Sequence, residues 1–256
     1  MTNPYDKNKA ISADEAAKII PRAEFRVFGK NIIAGVQEHM WKCKATLYAA
    51  RVMPEEIYFL SRRTNEANVK VRDGLLDIKT KVGETPEGYE IFQPRGKFKF
   101  PVKREELGEI LKHLEVALEL TKDVYSLEEF IEMAKENSEL AVVRVEKKRY
   151  GFSVEGIICE YAQVWFNGAM VETACCESEN YEGMKKATQA LGISELPNTN
   201  YLKAVLLELT GTAVLNGRRK NYDNKHRPNQ LRPAGSKQLL SKSTPKEKAH
   251  QNRSIF

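Results

Sequence analysis

Lys70, Arg72, Lys79, Lys97, Lys147 and Arg149 fall at alternating positions in segments rich in β-branched and aromatic residues. Glu24, Arg26, Glu160 and Glu177 fall in segments of the same kind. Such side chains have two uses. On an open sheet, the charged face lies in water while the other face packs. On a sheet closed with its polar face inward, the same alternation lines a wet interior with both signs. Cations gathered there suit the oxygens of a triphosphate, which accept charge-assisted hydrogen bonds. Carboxylates there suit a hard ion such as Mg²⁺ that bridges protein to phosphate. The combination inside a barrel would serve phosphoryl transfer, which relies on positioning and charge stabilisation and needs no nucleophilic Ser or Cys.

The elements that must hold these residues are mostly strands. In Ala23–Phe28, Phe25 and Val27 face one way and Glu24, Arg26 and Phe28 the other. In Asn68–Lys81, Val69 and Val71 oppose Lys70 and Arg72; Asp73-Gly74 makes a turn or kink; Leu76 and Ile78 then oppose Asp77, Lys79 and Lys81. Tyr89–Val102 reads as a strand pair or one bent strand, broken at Pro94 and Gly96. Further strands are expected at Tyr58–Ser61, Leu140–Tyr150, Phe152–Asn167 (whole or with a break) and Ala169–Glu177, with Asn167-Gly168 as a hairpin turn. Helices are expected around Val36–Ala50, along the stripe Leu107, Ile110, Leu111, Leu114 and Leu118, and from Ser126, where Glu129 completes a capping box. Two more run from Tyr181 to a stop at Gly192 and from Tyr201 to a stop at Gly211. A short helix near the N-terminus is signalled by Ser12, Glu15 and Pro21. No linker divides the body, so the strands on both sides of the central helices are expected to share one sheet.

The chain has 256 residues, of which 41% are apolar and 30% charged. That composition excludes collagen, coiled coil and wholesale disorder. No apolar run reaches the length of a membrane helix, and the opening MTNPYDKNKA is too polar for a secretory signal. The net charge of +6 is unevenly spread. Residues 217–256 carry +9 and the rest of the chain −3. The basicity therefore belongs to the tail. That tail has little apolar content and no sustained period, and reads as disordered in isolation. Its clusters, with Arg218, Arg219, Lys220, Lys225, Arg227 and Arg232, suit RNA phosphates. Cys43, Cys159, Cys175 and Cys176 show neither CxxC pairs nor zinc spacing, so reduced thiols and a cytoplasmic location are expected.

Several segments in order resemble the CYTH superfamily of triphosphate tunnel metalloenzymes. They are E-F-R-V-F-G at Glu24–Gly29, N-V-K-V-R-D-G-L-L-D-I-K at Asn68–Lys79 and P-R-G-K-F-K-F-P at Pro94–Pro101. E-K-K-R-Y at Glu146–Tyr150, Cys159-Glu160, C-E-S-E-N at Cys176–Asn180 and N-T-N-Y at Asn198–Tyr201 follow. The similarity is to a bacterial branch with an ExRxFG-like first strand. It implies an α+β fold, a closed antiparallel barrel of about eight strands with helices outside and a triphosphate-binding tunnel. It also implies Lys70, Arg72, Lys79, Lys97, Lys147, Arg149 and Arg26 as phosphate ligands. Glu24, Glu160 and Glu177 are implied as the catalytic carboxylates that hold Mg²⁺ or Mn²⁺. The family's ExExK strand is incomplete here, because Arg26 replaces the second acid and Phe28 the lysine. Cys175 likewise stands where a paired E-x-E would have its first acid.

The expected organisation is an N-terminal extension (1–22), a tunnel domain (23–211) and a basic tail (212–256). The expected function is binding and metal-dependent hydrolysis of a phosphate-rich polyanion: tripolyphosphate, polyphosphate or a nucleoside triphosphate. The alternative is a polyanion-, nucleotide- or RNA-binding module with little or no turnover, since the cations persist while half of each acidic pair is missing. No membrane partner is expected.

Overall fold

A computed structural model describes residues 9–209. The basic tail, with Arg218, Arg219, Lys220, Lys225, Arg227 and Arg232, lies outside the described residues. The strands are β1 (Arg22–Gly29), β2 (Thr46–Ser61), β3 (Ala67–Arg72), β4 (Leu75–Glu84), β5 (Glu90–Lys99), β6 (Val102–Lys103), β7 (Val124–Tyr125), β8 (Leu140–Val154), β9 (Ile157–Phe166) and β10 (Ala169–Ser178). Eight of them close an antiparallel barrel in the order β1-β10-β9-β8-β2-β3-β4-β5, while β6 and β7 pair separately. The helices are α1 (Ala13–Ala17), α2 (Ile32–Lys42), α3 (Arg104–His113), α4 (Leu127–Glu136), α5 (Tyr181–Ala190) and α6 (Tyr201–Leu209). The fold is α+β with a closed barrel, as the motifs imply. No helix among the described residues is long and apolar enough to cross a membrane.

Turn chemistry sets the hairpins. Asp73-Gly74 and Asn167-Gly168 take left-handed backbone at both residues, with φ of 52° and 73° and of 47° and 91°. That geometry matches the twist of the strands it joins. Glu155-Gly156 forms a third such turn, with φ of 48° and 82°. It breaks the Phe152–Asn167 segment, whereas no break separates Tyr150 from Phe152: β8 runs through Gly151 to Val154.

A second correction concerns α2. A helix around Val36–Ala50 was the expectation, but it ends at Lys42, and Lys44 at φ 53° turns the chain. Thr46–Met53 then pairs with β8, so β2 begins twelve residues before the expected Tyr58. Cross-strand pairing overrides the helical spacing of short apolar runs here.

The outer face of the barrel is covered by helices on two sides. α2 and α5 pack over β1, β9 and β10, where Phe25, Val27, Cys159 and Cys176 meet Met184, Ala187 and Leu191. α3 and α4 cover β3 and β4, where Val69, Leu76 and Ile78 meet Leu107, Ile110, Leu114 and Phe130. Leu107, Ile110 and Leu114 are fully buried, each worth about 1.5–3 kcal/mol over exposure. Capping boxes at Ser12 and Ser126 start α1 and α4 as expected. Cys159, Cys175 and Cys176 are buried, Cys43 is half-buried, and all four are free thiols.

With both apolar faces turned outward, the charged faces have one place left. They line the barrel. One seam is only partly zipped: β1 and β5 pair over Arg22–Glu24 and Glu90–Phe92. Ile11 exchanges two backbone hydrogen bonds with Lys97 beyond that point, at 2.8 and 3.0 Å. On the β1 side, the Arg26 backbone N–H donates to Asn198 Oδ1 and its carbonyl accepts from the Thr199 N–H. The N-T-N-Y segment thus lies along the open edge of β1 and leads the chain into α6.

Candidate functional site

The interior has two ends of different character. At one end α6 supplies Tyr201, Leu202, Ala204 and Val205, which pack on inward-facing Phe28, Leu60, Val143, Ala162, Val164 and Phe166. The Tyr201 ring lies 5.2 Å from Phe28 of β1, 5.9 Å from Tyr58 of β2 and 6.1 Å from Phe166 of β9, centroid to centroid. A ring touching three strands around the circumference stands inside the barrel. α6 is therefore a plug, and Tyr201 is the floor of the polar compartment above it. The Arg26 guanidinium carbon and Lys147 Nζ sit 4.5 and 4.4 Å from the Tyr201 ring centroid, at cation–π distance. The Tyr201 hydroxyl is buried without a hydrogen-bond partner among the described residues.

Register carries each charged residue of the other end onto the inner face. Glu24 pairs with Glu177, Arg26 with Cys175, and Cys175 in turn with Glu160. Tyr58 pairs with Lys70, Lys70 with Asp77, and Asp77 with Lys97. The interior side chains expected from the sequence (Glu24, Arg26, Lys70, Arg72, Lys79, Lys97, Lys147, Arg149, Glu160 and Glu177) all occupy inward positions.

They are organised as local ion pairs. Lys147 Nζ donates to Glu56 at 2.6 Å and to the Tyr58 hydroxyl at 3.1 Å. Lys70 Nζ donates to the same hydroxyl at 3.2 Å and lies 3.9 Å from Glu56. Arg72 donates to Asp77 at 2.8 Å. Arg26 donates to Glu24 at 2.6 Å and to the Cys175 sulfur at 3.0 Å, and it stands 3.7 Å from Glu160. Arg149 holds Glu160 from the other side. Glu90 accepts from Asn200 at 2.8 Å and from Lys203 at 2.7 Å, anchoring the start of α6.

Electrostatics follow from this packing. Burial alone would raise the Glu56 carboxyl, but Lys70 and Lys147 more than reverse it and hold it at about 2. Burial pulls the Lys70 ammonium down to about 7, against the pull of Glu56. Burial pushes the Cys175 thiol well up despite Arg26 beside it. The Cys175 side chain is thus a neutral thiol.

Lys79 and Lys97 differ from the rest. Both are half-buried inward residues, and neither ammonium group makes a hydrogen bond or a close ion pair among the described residues. Burial lowers the Lys97 ammonium, with Asp77 only partly opposing it. The compartment therefore holds cations in excess of its carboxylates.

A divalent-ion site needs oxygen donors free to turn onto the ion. Glu24 and Glu160 are engaged by guanidinium groups, and Glu177 has Arg22 at 3.9 Å. No three His, Cys, Asp or Glu side chains converge as ligands among the described residues. As placed, Glu24, Glu160 and Glu177 form no convergent donor set, and an Mg²⁺ or Mn²⁺ ion expected there would have to displace the guanidinium groups that engage them.

Sequence reasoning missed Glu56, Glu90, Tyr201, Asn200 and Lys203 as interior groups. Asp77 had a signal, since period two places it with Lys79.

No family model and no curated protein matches the chain. Among solved structures, it is similar to a conserved hypothetical protein from Pyrococcus furiosus, with 16% identity over 71% of this chain and 98% of that one, at a TM-score of 0.41. It is also similar to the Hippeastrum protein HpAC1, described as an adenylyl cyclase candidate with a dominant triphosphatase activity. There the identity is 11% over 75% and 96% of the two chains, at a TM-score of 0.42. An adenylate cyclase candidate from Bacillus halodurans gives 11% over 72% and 97%, at 0.37. These likenesses are remote.

Proposed function

We propose that the polar compartment binds a short phosphate-rich polyanion such as tripolyphosphate, entering opposite the α6 plug. One observation carries this reading: Lys79 and Lys97 are inward, partly desolvated and unpaired, next to a Lys70 whose proton is already loosened by burial. Half-buried ammonium groups without partners are costly, and a bound anion would supply the missing charge. Lys70, Arg72, Lys79 and Lys97 lie on the neighbouring strands β3, β4 and β5, which gives the phosphate oxygens a contiguous cationic wall.

Titration calorimetry of the full chain with tripolyphosphate tests this, and pH adds a signature. In the free protein Lys70 is charged below about pH 7 and loses its proton above it. The anion favours the charged form, so affinity should be highest below pH 7 and fall as pH rises through it. At pH 8, binding should take up a proton, seen as a heat that varies with buffer ionisation enthalpy. Lys70→Met should remove the part of that uptake not owed to the ligand's own titration. Wild type and Lys70→Met with equal uptake would contradict this role for Lys70.

A second reading, metal-dependent hydrolysis of the same ligand, is favoured by the direct cross-strand neighbours Glu24 and Glu177. It requires phosphate release from tripolyphosphate with Mg²⁺ or Mn²⁺, sharply reduced in Glu177→Gln while binding is kept. Binding without release under any divalent ion leaves the binding module alone. RNA binding by residues 217–256 is a separate proposal, tested by deleting them and measuring salt-dependent binding to single-stranded RNA.

A further inference from the structure

The rim of the compartment carries an aromatic side chain that the phosphate reading leaves unused. Among the described residues β3 pairs with β2 only over Ile57–Phe59, so Thr46–Met53 has β8 on one side and no strand partner among them on the other. This stretch contains a bulge: Leu47 pairs with Phe152 and Ala49 with Gly151, leaving Tyr48 as the extra residue. Bulges re-aim side chains, and they recur beside functional sites. Gly151 occupies an inward position, directly across from Glu160 on β9. The Tyr48 ring lies over it, so that a methyl group on Gly151 would stand 2.9 Å from Tyr48 Cε2 and 3.2 Å from its hydroxyl. The absent Cβ of Gly151 is what lets the ring settle there.

The ring nonetheless remains open to solvent. Tyr48 is 59% exposed, and its hydroxyl makes no hydrogen bond among the described residues. It lies in the field of Arg149 and Glu160, which belong to the compartment. Packing on Gly151 covers only part of this large aromatic surface at the mouth of a cation-lined pocket. Flat π-faces beside phosphate-binding cations are how proteins take nucleotides without reading the base, since every base can stack.

We propose that Tyr48 is a stacking platform for the base of a nucleoside triphosphate whose phosphates lie among the tunnel cations. The inference rests on the polyanion reading of the compartment and narrows its ligand class. It predicts that affinity for the nucleoside comes mainly from stacking, which every base can supply.

The test compares ATP and tripolyphosphate on the same protein by titration calorimetry. Tyr48→Ala should weaken ATP about tenfold and leave tripolyphosphate unchanged. Tyr48→Phe keeps the ring and should retain ATP affinity. Gly151→Ala crowds the ring and should copy the ATP-selective loss, with an unchanged thermal midpoint showing that the fold is intact. Equal losses for both ligands would make Tyr48 part of the phosphate site or of the fold, and would overturn the stacking role. So would unchanged ATP affinity in Tyr48→Ala, or wild-type protein that takes tripolyphosphate and not ATP. Wild-type protein that binds neither ligand would instead overturn the compartment reading beneath it, and the stacking role with it.

Discussion

Lys147→Met should lower the stability of the protein by about 3 kcal/mol, measured by urea denaturation near neutral pH. The side chains of Lys147 and Glu56 are 6% and 2% exposed and meet at 2.6 Å. Removing one partner strands the other as a buried charge, which typically costs about 3–5 kcal/mol. Lys70 remains 3.9 Å from Glu56 and keeps the loss toward the low end. Adding Glu56→Gln should recover much of the loss, because the stranded charge is then gone. Acid should mimic the pair's failure. The Glu56 carboxyl is held at about 2 against its usual 4.5, so its contribution is complete above pH 4.5 and is lost as pH falls toward 2. A Lys147→Met protein as stable as wild type would show that Glu56 is neutral or solvated, and that the compartment is wetter than its packing indicates.

Removing Lys79 and Lys97 together should do the opposite. Neither ammonium group has a hydrogen bond or close ion pair to lose, and burial disfavours the charged form of Lys97, so Lys79→Ala/Lys97→Ala should fold with near wild-type stability. Tripolyphosphate binding should fall steeply, because each charge-assisted bond is worth about 1.5–3 kcal/mol, or more than tenfold. Arg72→Ala makes the contrast. It also strands Asp77, which is 3% exposed, and should therefore weaken both the fold and binding. A Lys79/Lys97 double variant with wild-type affinity would remove the argument that unpaired interior cations mark the ligand site.

Much of this architecture is legible in the sequence because period two forces it. Glu24, Arg26 and Phe28 must share a face opposite Phe25 and Val27, and the same holds for Lys70 and Arg72 against Val69 and Val71. Once helices claim the apolar faces, the charged ones turn inward. Other residues give no such signal. Glu56 follows Pro54 and Glu55 in a stretch of β2 that is exposed on both faces up to that point, so alternation says nothing about it. Glu90 lies inside because the seam with β1 brings it opposite Glu24, a closure that no local pattern encodes. The helix YLKAVLLEL is apolar nearly all round, which fits burial but does not say that the burial is in the lumen of a barrel. The error at Val36–Ala50 has a related cause. A run such as Thr46–Ala50 fits helix or strand locally, and pairing with β8 decides between them.

The central claim is that the unpaired cations above Tyr201 form an anion site, and a crystal structure of the full chain grown with tripolyphosphate tests it most directly. Phosphate density is expected inside the barrel, with oxygens within hydrogen-bond distance of the Lys79 and Lys97 ammonium groups and the Arg72 guanidinium, and with the α6 plug in place beneath it. An interior filled only by water, with tripolyphosphate held elsewhere on the protein, would contradict it.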